Sequence, residues 1–109
     1  MAKAYNKTII IGRLSNDPEL SKGGKKASFT ICNSTVRDGV EDVQWHQICA
    51  VGKQIPLVMD YLHKGDLVCI EGSLTQRKVQ KDGETFYKPA IVAEHITFLS
   101  SRKREQIAV

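Results

Sequence analysis

The sequence predicts an all-β fold: a small five-stranded Greek-key barrel with one short helix between its third and fourth strands. Three observations carry that expectation. Five stretches have strand composition and are separated by turn signals, only one stretch has helical periodicity, and that stretch follows the third strand. The length, 109 residues with 41% hydrophobic, suits one domain around one core.

The first strand is Thr8 to Leu14 (TIIIGRL), rich in β-branched residues and ended by Asn16-Asp17-Pro18. Gly23-Gly24 then marks a turn. Beyond it Ala27, Phe29 and Ile31 alternate with Ser28, Thr30 and Cys32, the period-two pattern of a half-buried strand. Asp38-Gly39 signals a second turn, and residues 43–51 read as the third strand. The period then changes. Ile55, Val58, Met59 and Leu62 fall at i, i+3, i+4 and i+7, one face of a helix over 54–62. Pro56 suits its first turn and Lys64-Gly65 its end, while Tyr61 and Leu62 are expected to pack it onto the barrel. A long strand follows over 67–80, with Gly72 a natural place for a bulge or bend. Asp82-Gly83 is a hairpin signal leading to the last strand, 85–99. Pro89 inside that strand cannot donate to a ladder, so an edge or a bulge is expected there. Three strands, a helix and two strands is the order of an OB-fold. Residues 1–100 are read as this single domain and 101–109 as a short, basic, flexible tail.

The formal net charge of +4 favours an anionic partner without naming it. No apolar run approaches the roughly 18 residues a membrane helix needs. The N-terminus also lacks an apolar segment of the secretory kind. A cytoplasmic protein with no membrane partner is therefore expected. Cys32, Cys49 and Cys69 are an odd set without C-x-x-C spacing, so buried free thiols are expected rather than disulfides or metal ligands. His46, His63 and His95 lack ligand spacing, and there is no nucleophile elbow, phosphate-cradling Gly loop or placed carboxylate pair. The expectation is a non-enzyme with no cofactor, no metal and no small-molecule substrate.

The local motifs resemble those of bacterial and phage single-stranded DNA-binding proteins. Asn6 to Leu14 (NKTIIIGRL) with Asp17 to Leu20 (DPEL) is similar to the opening of that family. The similarity continues at Trp45-His46, at Val51 to Lys53 (VGK), and at Tyr61 to Gly65 (YLHKG). It extends through Ile70 to Leu74 (IEGSL) and Arg77-Lys78, so it spans roughly residues 5 to 100. The resemblance implies an OB-fold that binds single strands without sequence preference in replication, recombination or repair. It also implies a homotetramer, with a dimer as the smaller alternative.

Such a binder needs basic side chains along a groove and aromatic platforms between them. Matching family positions gives Lys7, Lys53, Lys64, Arg77 and Lys78 as cationic candidates; Arg13 and Arg37 join them from their places beside strand ends. Arg77 and Lys78 approach the hairpin between the last two strands, a usual nucleic-acid contact in OB-folds. Bacterial members carry stacking aromatics at four positions. Here Trp45 alone is aromatic, and Val36, Val51 and Val79 stand at the others. Valine cannot stack over a base. Tyr87 and its neighbour Phe86 are candidate substitute platforms, with core or interface packing as the other reading. Trp45 too has a core reading. The resemblance places oligomer contacts on the first strand, at Thr8, Ile10 and Gly12, and at His46, which otherwise reads as an ordinary strand histidine.

The family's acidic tail, which recruits replication proteins, has no counterpart in the basic stretch Arg102-Lys103-Arg104, so that recruitment is not expected. A rival reading is an adaptor of the same fold, primosomal or phage accessory, that binds proteins more than DNA. A third, a cold-shock-like RNA binder, lacks its aromatic-rich motifs.

Overall fold

The computed structural model describes residues 5–100, and the tail expected over 101–109 lies outside the described residues. The order is β1 (Thr8–Leu14), β2 (Glu19–Leu20), β3 (Lys26–Arg37), β4 (Val40–Val51), α1 (Gln54–Tyr61), β5 (Leu67–Lys81) and β6 (Glu84–Ser100). The strands lie in the order β1-β5-β6-β4-β3-β2. Arg13 and Leu14 of β1 pair with Cys32 and Ile31 of β3, which closes the barrel. The five expected strands are present, with α1 between the third and fourth of them, β4 and β5. β2 is an addition: two exposed residues pairing with Ala27 and Ser28, too short to leave a pattern in the sequence.

Alternation decides what the barrel encloses. Ala27, Phe29 and Ile31 of β3 are fully or almost fully buried, as are Ile48 and Ala50 of β4 and Val68 and Ile70 of β5. Their neighbours in each strand point to the other side of the sheet. Val58 and Leu62 of the helical segment close the core, and Ile55 and Met59 pack against it. All four residues of the expected helical face are thus used. Tyr61 departs from expectation: at 65% exposed it stays out of the core and borders an open apolar hollow with Leu57, Leu62, Ile96 and Phe98. It follows Asp60 round the helix and falls off the Ile55-Val58-Met59-Leu62 stripe. The three cysteines are free but half-buried rather than buried, because each occupies the non-core side of its strand.

β3, β4, β5 and β6 run further than expected. Asp38-Gly39 and Asp82-Gly83 form two-residue turns in which both residues have positive φ, 54° and 76° in the first and 54° and 78° in the second. That is the type I′ geometry whose twist matches the flanking strands. Around each turn the paired strands leave the core as exposed two-stranded arms. Pro89 sits in such an arm, paired to Gln76 on one side. β6 meets β4 only at Ile91 and Val92, so the missing N–H of Pro89 interrupts no ladder.

A register shift between Glu71 and Gly72 marks the expected bulge. A Cβ on Gly72 would lie 2.0 Å from the Val92 carbonyl oxygen, and one on Gly12 would lie 2.4 Å from Ile31 Cγ2. Both glycines allow neighbouring strands to approach where the barrel curves. Gly72→Ala should therefore cost at least the roughly 1–3 kcal/mol typical of overpacking, read as a lowered midpoint in urea unfolding. An unchanged midpoint would show that β6 yields freely at Val92.

Candidate nucleic-acid interface

The ladder between β3 and β4 runs without a shift from Lys26↔Val51 to Arg37↔Val40. That between β5 and β6 is unbroken from Gly72↔Ala93 to Lys81↔Glu84. Side-chain faces can therefore be followed along each strand. On β3 and β4 the face turned away from the core carries Val36, Cys32 and Ser28, with Trp45, Gln47, Cys49 and Val51 across from them. Cys49 pairs with Val92 of β6, which carries the same outer face onto Ala90, Lys88 and Phe86. Opposite these last two stand Arg77 and Val79.

Val36, Trp45, Val51 and Val79 thus share one outer surface. Trp45, 64% exposed, is excluded from the core. With Gln47, Leu74, Pro89 and Ala90 it borders a shallow hollow of about 60 Å³ at the root of the β5–β6 arm. An indole on the outer face of a sheet and open to water offers a stacking surface.

The cationic candidates divide between places. Arg77 and Lys78 lie on the β5–β6 arm, where Lys81 and Lys88 join them and outnumber Asp82 and Glu84. Adjacent in sequence, Arg77 and Lys78 lie on opposite faces: Arg77 with Val79, Phe86 and Lys88, and Lys78 with Tyr87. Arg37 stands at the tip of the β3–β4 arm beside Asp38, Glu41 and Asp42, carboxylates that repel phosphate. Lys53, exposed, follows Val51 in the turn into α1, and Lys64, exposed, lies in the α1–β5 loop. The backbone N–H of Lys64 donates to Asp17 Oδ1 at 2.8 Å. Arg13 is half-buried and donates from Nη1 to the Gly65 carbonyl at 2.9 Å, a structural engagement at the barrel's closure. Lys7 borders a hollow of about 270 Å³ with Glu71 and Glu94, which compete with phosphate for its charge.

The first-strand candidates point inward. Ile10 packs against the core and Gly12 is buried, while Thr8 is half-buried. What β1 offers outward is Ile9 and Ile11, both more than half exposed. From Thr8 to Gly12 its only strand partner among the described residues is β5, so its other edge is open. The run TIIIG gave no sign of which isoleucine faces out; that needed the register against β5. His46 is half-buried, with Nε2 3.4 Å from Asn33 Oδ1. Asn6 was also missed. Its amide clamps the backbone of Leu74, accepting from the N–H at 3.0 Å and donating to the carbonyl at 2.7 Å.

Residues 5–99 match the single-strand binding protein family. The chain belongs to that family. A single-stranded DNA-binding protein of Xylella fastidiosa is 34% identical over 111 residues, which cover 94% of this chain and 68% of that protein. Single-stranded DNA-binding protein 2 of Streptococcus agalactiae is 33% identical over 90% of this chain and 79% of its own. Among solved structures, a Plasmodium falciparum SSB complex with ssDNA superposes with a TM-score of 0.80 at 26% identity. That match covers 92% of this chain and 99% of the other. The OB-fold read from the order of strands is therefore the fold of the family. No helix among the described residues is long and apolar enough to cross a membrane.

Trp45 is the protein's single tryptophan, so its emission reports on one place. Emission near that of indole in water, open to an aqueous quencher, is expected of this geometry. A blue-shifted, shielded emission would place Trp45 in a core or an interface.

Proposed function

We propose that this protein binds single-stranded DNA without regard to sequence and protects it during replication, recombination or repair in the cytoplasm. The observation that carries the reading is the single outer face. On an SSB-family barrel, one exposed tryptophan borders the root of an arm in which lysine and arginine outnumber carboxylates. Phosphates recur along a strand and bases have two flat faces, so cations beside an aromatic platform suit any sequence. Duplex DNA hides its base faces within the stack and leaves such a platform nothing to cover.

With valine at three family stacking positions, charge carries a larger share of the affinity. The cations that contribute most are those of the β5–β6 arm, because the carboxylates beside Arg37 and Lys7 oppose phosphate there. The homotetramer forms through the open edge of β1, where a second copy's β1 supplies the missing ladder and Ile9 and Ile11 are covered.

The deciding experiment is anisotropy of labelled oligo-dT with duplex competitor at several salt concentrations. Tight binding that duplex fails to compete is expected, with log K falling by about 0.7 per phosphate neutralised for each tenfold rise in salt. Weak binding, or equal preference for duplex, would favour the adaptor reading. Trp45→Ala should weaken binding by about 1–3 kcal/mol, or about 5- to 150-fold; an unaltered constant in the folded variant would remove Trp45 from the site. Ile9→Glu with Ile11→Glu should lower the mass found by light scattering to that of a smaller assembly. A mass that stays the same would place the interface away from β1.

A further inference from the structure

The β5–β6 arm holds a pair of facts that the family positions do not explain. Val79, where bacterial relatives are expected to carry a stacking aromatic, lies directly across the ladder from Phe86. Two residues along, on the same face, Arg77 lies directly across from Lys88. Phe86 is 46% exposed and stands outside the core cluster. Two like charges held opposite each other on a sheet repel, and the arrangement is relieved when an anion sits between them. Both side chains are exposed.

We propose that Phe86, not residue 79, is the stacking platform of this arm, with Arg77 and Lys88 holding the phosphates beside the stacked base. The aromatic has in effect moved from β5 to β6 while staying on the same face. The proposal rests on the single-strand reading given above. Cross-strand neighbours lie about 5 Å apart at Cβ, so a base drawn to this face meets the phenyl ring almost where it would have met an aromatic at Val79. The face is the one that carries Trp45. The Trp45 hollow lies at the root of the arm, bordered by Ala90 of the outer side together with Leu74, Pro89 and Ile91 of the other, and Phe86 stands four residues beyond Ala90 on its side, at about 13 Å. One strand of DNA can therefore run from the indole out along the arm and meet both rings. Tyr87 presents its ring to the opposite face of the arm, beside Lys78 and away from Arg77 and Lys88.

The platform contributes by stacking and its two cations by charge, so substitutions should separate the effects. Phe86→Ala should weaken oligo-dT binding about 5- to 150-fold while leaving the salt slope as it was. Lys88→Ala should reduce that slope by about 0.7. Phe86→Trp should hold the affinity and, in a Trp45→Phe background, show emission quenched as oligo-dT saturates the protein. The exchange of Val79→Phe with Phe86→Val should restore most of what Phe86→Ala loses, since the ring returns to the same face. Phe86 is outside the core, so the thermal midpoint of each variant should stay close to that of the parent. If the parent binds oligo-dT and Phe86→Ala binds equally well, or Phe86→Trp emission ignores the oligonucleotide, the assignment of Phe86 is overturned while the single-strand reading stands. If the parent fails to bind oligo-dT, both fall together.

Discussion

The structure depends on the closure of the barrel at Leu14. Its side chain is buried, and its backbone is committed in three directions. It pairs with Ile31 of β3, its N–H donates to the Asp66 carbonyl at 3.0 Å, and its carbonyl accepts from the Gly65 N–H at 2.8 Å. Arg13 adds its bond to the Gly65 carbonyl, and the buried Asp66 carboxylate turns the same loop by accepting from the His63 N–H at 2.9 Å. Without this junction β1 would be a flap on β5, and the core would open along β3. A buried backbone group left unpaired costs about 1–3 kcal/mol, so the chain satisfies every one it can here.

Closure at one end of β1 also leaves the other end exposed. Gly12 lets β1 approach β3 closely, and upstream of it the strand diverges from β3 with one edge unpaired. An open edge flanked by Ile9 and Ile11 is a template on which another strand can pair. The same curvature sends β3–β4 and β5–β6 outward as arms beyond the core. There the residues are released from packing and can serve a ligand.

The two arms have diverged in charge. The β3–β4 tip gathers carboxylates around Arg37, whereas the β5–β6 arm gathers cations around an exposed phenyl ring. A surface paved with aromatics needs less help from charge. A surface reduced to fewer rings needs phosphate contacts, and it needs them on the face where its remaining rings lie. The pleat meets that condition by placing Trp45, Phe86, Arg77 and Lys88 on one side of the sheet.

The order of elements could be read from the residues because hydrophobic period and turn chemistry are local. The alternation at Ala27, Phe29 and Ile31, the helical stripe at Ile55, Val58, Met59 and Leu62, and Asp82-Gly83 each specify a conformation within a few residues. The family resemblance and Trp45 were legible for the same reason. Strand ends were not, since the arms are exposed on both faces and carry no alternation to mark where they stop. Nor could residue type alone tell Arg77 from Lys78, Ile9 from Ile10, or Phe86 from Tyr87. Neighbours in a strand point to opposite faces, and which face is which depends on the register with a partner far along the chain. Sequence determined the five long strands, the helix and the chemistry they carry; only the paired, closed sheet added β2 and decided which of those side chains meet on one surface.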